Sequence, residues 1–85
     1  MSYRDELMKK VCEIIKKTKS ENGLTQEEMA EKMVISPRTY ADIEGKRSLC
    51  HMDTFFKYLV FCSNNPDEDI EELKKFTCEF NEDDF

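Results

Sequence analysis

Glycine and proline are scarce in this sequence, with two of each among 85 residues, and tryptophan is absent. So few turn-forming residues disfavour a sheet-rich fold with many short connections and indicate helices instead. The longest apolar run, residues 58–62, is too short to span a bilayer, and no signal peptide precedes the first predicted helix. We therefore expect an all-α chain in the cytoplasm with no membrane partner.

Cysteine and histidine are too few and too scattered for a metal centre. The cysteines lie at positions 12, 50, 62 and 78 without a Cys-x-x-Cys pair, and the single histidine, His51, adjoins Cys50. A tetrahedral zinc site takes its ligands from close pairs, so we predict free thiols, no metal and no cofactor. Redox sensing by these thiols is an alternative with no further support in the sequence.

The residues that catalysis needs do not occur together either. The sequence has no glycine-rich loop and no plausible set of nucleophile, histidine and acid. Its many carboxylates fall at predicted helix starts and near the C-terminus, where helix capping and solvation explain them. We predict that the chain is not an enzyme, and we predict no small-molecule ligand.

Acidic residues outnumber basic ones, 19 to 13, but the excess is confined to the C-terminal part of the chain. The net charge is +2 for residues 1–24, −1 for residues 25–62 and −7 for residues 63–85. A net charge of −6 opposes binding to nucleic acid, whereas the weakly positive first 62 residues permit it. The acidic C-terminal helix and tail, residues 65–85, would then have to point away from DNA.

Two helix-start signals stand eleven residues apart in the first half of the chain. Thr25 is a good N-cap, and Glu28 three residues later completes a capping box for a helix over about Gln26–Met33. Ser36 caps a second helix, over about Pro37–Glu44, because proline at the first helical position gives up an N–H that would be unpaired anyway. Two short helices joined by a turn of about three residues form a helix-turn-helix.

This stretch resembles the Cro and phage-repressor class of helix-turn-helix regulators, also called the xenobiotic-response-element class. The resemblance runs from about Lys19 to Cys62 and implies a compact five-helix, lambda-repressor-like DNA-binding domain formed by residues 1–85, with the motif at 25–45. The small residue in the first motif helix would let the second helix approach closely. The matching residues are Gln26, Met29, Ala30, Met33, Ile35, Ser36, Ile43, Glu44, Gly45 and Lys46.

The chain departs from the family pattern at two positions. Val34 occupies the turn position where the family usually has glycine, so the turn is either strained or built differently. Tyr40 replaces an aliphatic residue, so we expect the second motif helix to pack through an aromatic ring. We also expect Gly45 to end that helix in the left-handed conformation. Lys19 stands where the family often has arginine, and we expect it to pair with Glu44.

Three further helices are predicted outside the motif, over about Tyr3–Ser20, Met52–Cys62 and Pro66–Glu79. The last of these is capped by Asn65 and begins with an acidic turn, which suits the helix dipole. The predicted buried stripe of the fourth helix consists of Met52, Phe55, Phe56, Leu59 and Cys62.

The resemblance implies that the second motif helix reads the major groove of double-stranded DNA, with its N-terminal residues at the base edges. Arg38 would bind guanine, the Thr39 methyl would touch thymine, and Asp42 would accept from cytosine. The predicted base-reading residues are Pro37, Arg38, Thr39, Ala41 and Asp42. The predicted phosphate contacts are Gln26, Ser36, Tyr40, Lys46, Arg47 and Ser48.

A protein-interaction or antitoxin-like module on the same scaffold is the alternative function, since a fold does not determine a function. Its binding surface would be the acidic, aromatic C-terminal segment. The charge around the second motif helix separates the two readings, because a potential dominated by Asp42 and Glu44 would repel DNA.

Homodimerisation is expected because one helix-turn-helix covers only one half-site. The residues assigned to the dimer interface are Tyr58, Phe61, Phe76 and Phe80. The competing arrangement folds the fifth helix back over the fourth within one chain and buries all four rings. Ile70, Leu73 and Thr77 already form a stripe for packing within the chain, so at least one ring should remain for a partner.

Overall fold

The computed structural model describes residues 2–80, and this part of the chain forms five α-helices without a strand. Each predicted helix is present, starts at the predicted residue and ends within one residue of its predicted end. The predicted tail at residues 81–85 lies outside the described residues. The helices are α1 (Tyr3–Glu21), α2 (Gln26–Lys32), α3 (Pro37–Glu44), α4 (Met52–Phe61) and α5 (Pro66–Cys78).

The helix starts are determined locally by capping side chains. The predicted caps Thr25, Ser36 and Asn65, and Ser2 before α1, each accept a hydrogen bond from the backbone N–H three residues later. Thr25 and Glu28 complete the predicted capping box with bonds of 3.1 and 3.0 Å. His51 precedes α4 without a side-chain capping bond. The polar signals that predict these starts therefore act within four residues.

The ends of the first three helices share one backbone arrangement. After α2, Val34 has a φ of 57°, its N–H donates to Glu31 O at 3.1 Å, and Ile35 N–H donates to Ala30 O at 3.0 Å. These two bonds form a Schellman motif, which requires a left-handed residue. Gly23 has a φ of 64° at the same place after α1. Val34 is thus strained, as one of the two predicted alternatives required.

The prediction that Gly45 ends α3 in the left-handed conformation is wrong. Gly45 has a φ of −82°, and the left-handed residue is Lys46, with a φ of 61°. A Cβ atom at position 45 would lie 2.7 Å from Arg47 Nη1 and 3.1 Å from Ala41 O. Glycine is suited to this position because it leaves room for the Arg47 side chain, which folds back over the end of α3.

The core lies where α1 to α4 meet, and α2 packs directly on α3. Ala30 is buried in α2, which allows the close approach of the two motif helices. Tyr40 is fully buried in α3, so this helix packs through an aromatic ring as predicted. The buried cluster comprises Val11, Ile14, Ile15, Met29, Ala30, Met33, Tyr40, Ile43, Tyr58, Leu59 and Cys62.

The predicted buried stripe of α4 is wrong in part. Met52 and Phe56 are exposed, while Thr54 and Tyr58 are buried. The helix is rotated so that residues 54, 58 and 62, four apart, face the core. Apolar content alone does not determine this rotation, because apolar residues occur all around α4.

The Tyr58 hydroxyl explains the rotation of α4. It lies 2.6 Å from Thr18 Oγ1 on α1 and donates to Asp69 Oδ2 on α5 at 3.1 Å. A tyrosine hydroxyl has one hydrogen, so Thr18 donates to Tyr58 when Tyr58 donates to Asp69. Ser63 also donates to Asp69 Oδ2. One buried hydroxyl therefore joins three helices, and this join needs Tyr58 to point inward.

Aromatic rings in the last turn of α5 and just after it pack against the start of α1. The ring of Phe80 lies 5.2 Å from that of Tyr3 and 5.1 Å from that of Phe76, centroid to centroid. The Tyr3 hydroxyl lies 2.9 Å from Thr77 Oγ1. Leu73 packs against the core, whereas Ile70, expected in the same stripe, is exposed. The segment proposed as a free aromatic surface is thus partly engaged within the chain.

Two further structural findings concern the described residues. Cys12, Cys50, Cys62 and Cys78 are free thiols, as predicted. Within residues 2–80, no helix combines the length and the apolar character that crossing a membrane requires.

Candidate nucleic-acid interface

The first turn of α3 presents polar side chains to solvent. Pro37, Arg38 and Thr39 are exposed, and 90% of the Arg38 side-chain surface is accessible. The Thr39 hydroxyl lies 2.9 Å from Ser36 Oγ, which leaves its methyl group available for contact. Ala41 is half-buried. The structure therefore brings the predicted base-reading residues together along one exposed edge of α3.

Asp42 is paired within the chain. Arg47 Nε donates to Asp42 Oδ1 at 2.9 Å, and Arg38 Nε lies 3.9 Å from Oδ2. Arg47 Nη2 also donates to Ala41 O at 3.2 Å. The sequence analysis missed this arrangement because Arg47 lies beyond the end of the helix, where helical spacing no longer places side chains. The paired carboxylate adds little negative potential to the exposed edge.

Glu44 is paired as predicted, on the inner side of the motif. Its Oε1 accepts from Lys19 Nζ at 2.9 Å and from Gln26 Nε2 at 3.1 Å. Burial alone would raise the pKa of Glu44, but the hydrogen bonds from Lys19 and Gln26, together with the adjacent Tyr40 hydroxyl, outweigh burial and lower it. Glu44 is therefore a charged carboxylate whose charge is compensated by Lys19. Neither Asp42 nor Glu44 dominates the potential at α3.

The prediction that Tyr40 contacts phosphate is wrong. Its side chain is fully buried, and its hydroxyl is enclosed without a hydrogen bond of good geometry. Burial, and then the neighbouring Glu44, raise the pKa of this hydroxyl, so it stays protonated. A ring at this position in α3 faces the core because position 40 lies on the same side as Ile43.

The remaining predicted phosphate contacts lie around the two ends of α3. Ser36 precedes the helix, and Lys46, Arg47 and Ser48 follow it; all four are exposed. Gln26 is exposed at the start of α2, although its side-chain amide is already bound to Glu44.

Cys12 on α1 holds the C-terminal end of α3. Its thiol donates to the backbone carbonyl of Glu44 at 3.2 Å. Burial raises the pKa of this thiol, so it remains a neutral donor. The sequence analysis predicted a free thiol here but no contact with α3. The contact positions the loop that carries Lys46 and Arg47.

The predicted dimer residues do not form one exposed surface. Tyr58 is fully buried and bound to Thr18 and Asp69, so its assignment to an interface is wrong. Phe76 and Phe80 are half-buried and pack around Tyr3. Phe61 is exposed on α4, as the prediction required.

The fold and the exposed edge of α3 define a helix-turn-helix protein. A helix-turn-helix family model of the Cro/C1 type matches residues 14–59, which is more than half of the chain. The chain belongs to this DNA-binding family, and its five described helices form the lambda-repressor-like fold. No curated protein and no solved structure shows a significant match to the chain.

Proposed function

We propose that the chain is a sequence-specific transcriptional regulator that reads the major groove of double-stranded DNA with α3. The observation that carries the proposal is the charge state of this helix. Both acids of α3 are paired with cations, whereas Arg38 at its first turn is 90% exposed. An exposed cation at the N-terminal end of a recognition helix, here paired only with Asp42 at 3.9 Å, is suited to a base edge. We place the regulator in the cytoplasm and treat residues 1–85 as one domain.

Arg38 is the principal base reader in this proposal. Its guanidinium can donate two hydrogen bonds to O6 and N7 of guanine. Pro37, Ala41 and the methyl group of Thr39 add apolar contacts beside it. Asp42 accepts from cytosine only if it releases Arg47, so we assign it first to holding Arg47 at the end of α3.

The DNA backbone is bound from both ends of α3. Ser36 precedes its N-terminal end, and Lys46, Arg47 and Ser48 follow its C-terminal end, where the side chain of Gln26 from the start of α2 contacts Glu44. The exposed face of α2 also carries acids, at positions 27, 28 and 31. These acids oppose the phosphates, so we expect modest nonspecific affinity and a shallow salt dependence.

Mobility-shift titrations on a site selected from random duplex DNA at low salt test the proposal. Arg38→Ala should lose about 1–3 kcal/mol on the selected site and relax the preference at one base pair. Lys46→Ala should weaken all sequences alike and flatten the salt dependence. Equal, sequence-independent losses for both variants would exclude Arg38 as a base reader.

A protein-interaction module is the second candidate function. The exposed apolar side chains of α4, among them Phe56 and Val60, favour a protein partner. Selection from random duplex DNA separates the candidates, because a module without DNA affinity enriches no site even at low salt.

A further inference from the structure

One carboxylate of α3 is shared between two arginines. Arg47 Nε donates to Asp42 Oδ1 at 2.9 Å, whereas Arg38 Nε lies 3.9 Å from Asp42 Oδ2. Arg38 lies one helical turn before Asp42, and Arg47 lies beyond the C-terminal end of α3. The two cations therefore draw the carboxylate in opposite directions along the helix, and the shorter distance shows that Arg47 holds it.

Arg47 is fixed in place by more than this ion pair. Its Nη2 donates to Ala41 O at 3.2 Å, and its backbone N–H donates to Asp42 O at 2.8 Å. The guanidinium lies against Gly45, where a Cβ atom would come within 2.7 Å of Nη1 and 3.0 Å of Cζ. Because position 45 has no side chain, the guanidinium can lie over the last turn of α3 and reach Asp42.

Without Arg47, the same carboxylate would compete with DNA for the base reader. Arg38 and Asp42 are four residues apart, a spacing at which opposite charges on a helix attract each other. An arginine that is bound to Asp42 has fewer N–H groups to offer to guanine O6 and N7. In the structure 90% of the Arg38 side-chain surface is accessible, so its guanidinium is still open to a base.

We propose that Arg47 is a positioning residue for base recognition. By holding Asp42 it keeps Arg38 available for guanine, and Gly45 provides the space that this contact needs. The inference deepens the proposed function and rests on it, since it gives the chain a second arginine that affects sequence preference without touching a base. Arg47 thereby differs from Lys46 at the same end of α3, which acts only on the DNA backbone.

Gly45→Ala tests the proposal without changing any charge. The added methyl group displaces the Arg47 guanidinium from Asp42, and the φ of −82° at this position suits alanine. The measurement is discrimination at the base pair that Arg38 reads, which Arg38→Ala identifies on the selected site. We expect Gly45→Ala to lower this discrimination about two- to five-fold, the strength of an exposed ion pair. If Arg47 served only as a phosphate contact, the discrimination would not change.

A second substitution separates this role from a folding defect. Asp42→Asn in the Gly45→Ala background removes the charge that attracts Arg38, so the discrimination should return, whereas a distorted helix end would not be repaired. Lys46→Ala is the matched control, because it removes a cation at the same end of α3 and leaves Asp42 paired with Arg47. It should weaken all sequences alike and keep the discrimination. Unchanged discrimination in Gly45→Ala, or a loss that Asp42→Asn does not rescue, overturns the proposal.

A measurement without DNA keeps this proposal separate from the proposed function. In NMR spectra of the full chain, the Arg47 Nε–H should exchange with water more slowly than the Arg38 Nε–H, because hydrogen bonding protects it. Gly45→Ala should speed the exchange at Arg47 and slow it at Arg38. Equal exchange of the two groups in the wild type overturns the positioning role even if the chain binds DNA. If site selection enriches nothing, the proposed function fails, while the change in exchange would still show that the two arginines compete for Asp42.

Discussion

Helices α3 and α4 each bury one tyrosine completely, yet the two hydroxyls have different surroundings. Tyr58 of α4 is bound to Thr18 and Asp69 on two other helices. Tyr40 of α3 lies beside Glu44, but its hydroxyl makes no hydrogen bond of good geometry. The same side chain is therefore a polar link between helices in α4 and mainly an apolar filler in α3. The exposed sides differ as well, since that of α3 is polar and that of α4 is largely apolar.

The largest expected effect is at Tyr58. Tyr58→Phe keeps the ring but leaves Asp69 without the hydroxyl hydrogen and Thr18 without its acceptor. Removing a hydrogen bond to a charged group costs about 1.5–3 kcal/mol, so we expect a loss of that size in the free energy of unfolding. Urea denaturation measures it. A loss below 0.5 kcal/mol would show that the hydroxyl does not hold the helices together.

The next effect concerns two turns, the one inside the motif at Val34 and the one that leads into the motif at Gly23. Val34→Gly should stabilise the domain by about 0.5–1 kcal/mol, because glycine adopts a φ of 57° without the penalty that valine carries. Gly23→Ala is the matched control, because Gly23 has a φ of 64° and an added Cβ atom there would meet no side chain or distant backbone atom within 4 Å. It should destabilise by about 1 kcal/mol. Thermal melts compare the wild type with the two variants. A lower melting temperature for Val34→Gly than for the wild type would show that Val34 is not strained.

The pH dependence of stability should differ between the wild type and Glu44→Gln. The pKa of Glu44 is lowered in the folded chain from its ordinary value of 4.5. The unfolded chain therefore binds the proton first as the pH falls, so the stability from this group is present above pH 4.5 and is lost as the pH falls through the folded pKa. Denaturation between neutral pH and pH 3 should show a smaller loss for Glu44→Gln. If the stability of the two proteins fell in parallel with pH, the Glu44 carboxylate would make no pH-dependent contribution to stability.

The smallest effect is expected at Tyr40. Tyr40→Phe removes a buried hydroxyl that has no well-formed hydrogen bond, so stability should change by less than about 0.5 kcal/mol or rise slightly. The same urea denaturation gives the comparison with Tyr58→Phe. Equal losses in the free energy of unfolding for the two variants would show that the two hydroxyls contribute alike to stability.

Most of the candidate interface follows from sequence spacing. The features that sequence spacing did not predict share one cause. Arg38 and Thr39 are exposed where the motif predicted them, because a capped helix start determines which residues follow on which face. The pairing of Asp42 with Arg47 and the role of Gly45 were not predictable, since both depend on how the chain folds back after α3. The dimer residues were misassigned because Tyr58, counted as surplus apolar surface, carries a buried hydroxyl.

The sequence by itself determined the five helices, their starts and the Lys19–Glu44 pair, since capping acts within four residues and the pair recurs at matching positions in the family that this chain resembles. The tertiary structure alone decided the rotation of α4 and hence which apolar residues remain exposed. That rotation depends on hydrogen bonds between Tyr58 and residues 40 positions before it and 11 after it. Such contacts leave no periodic signal in the sequence, because hydrophobic spacing records which residues are apolar and not where a buried hydroxyl finds its partner.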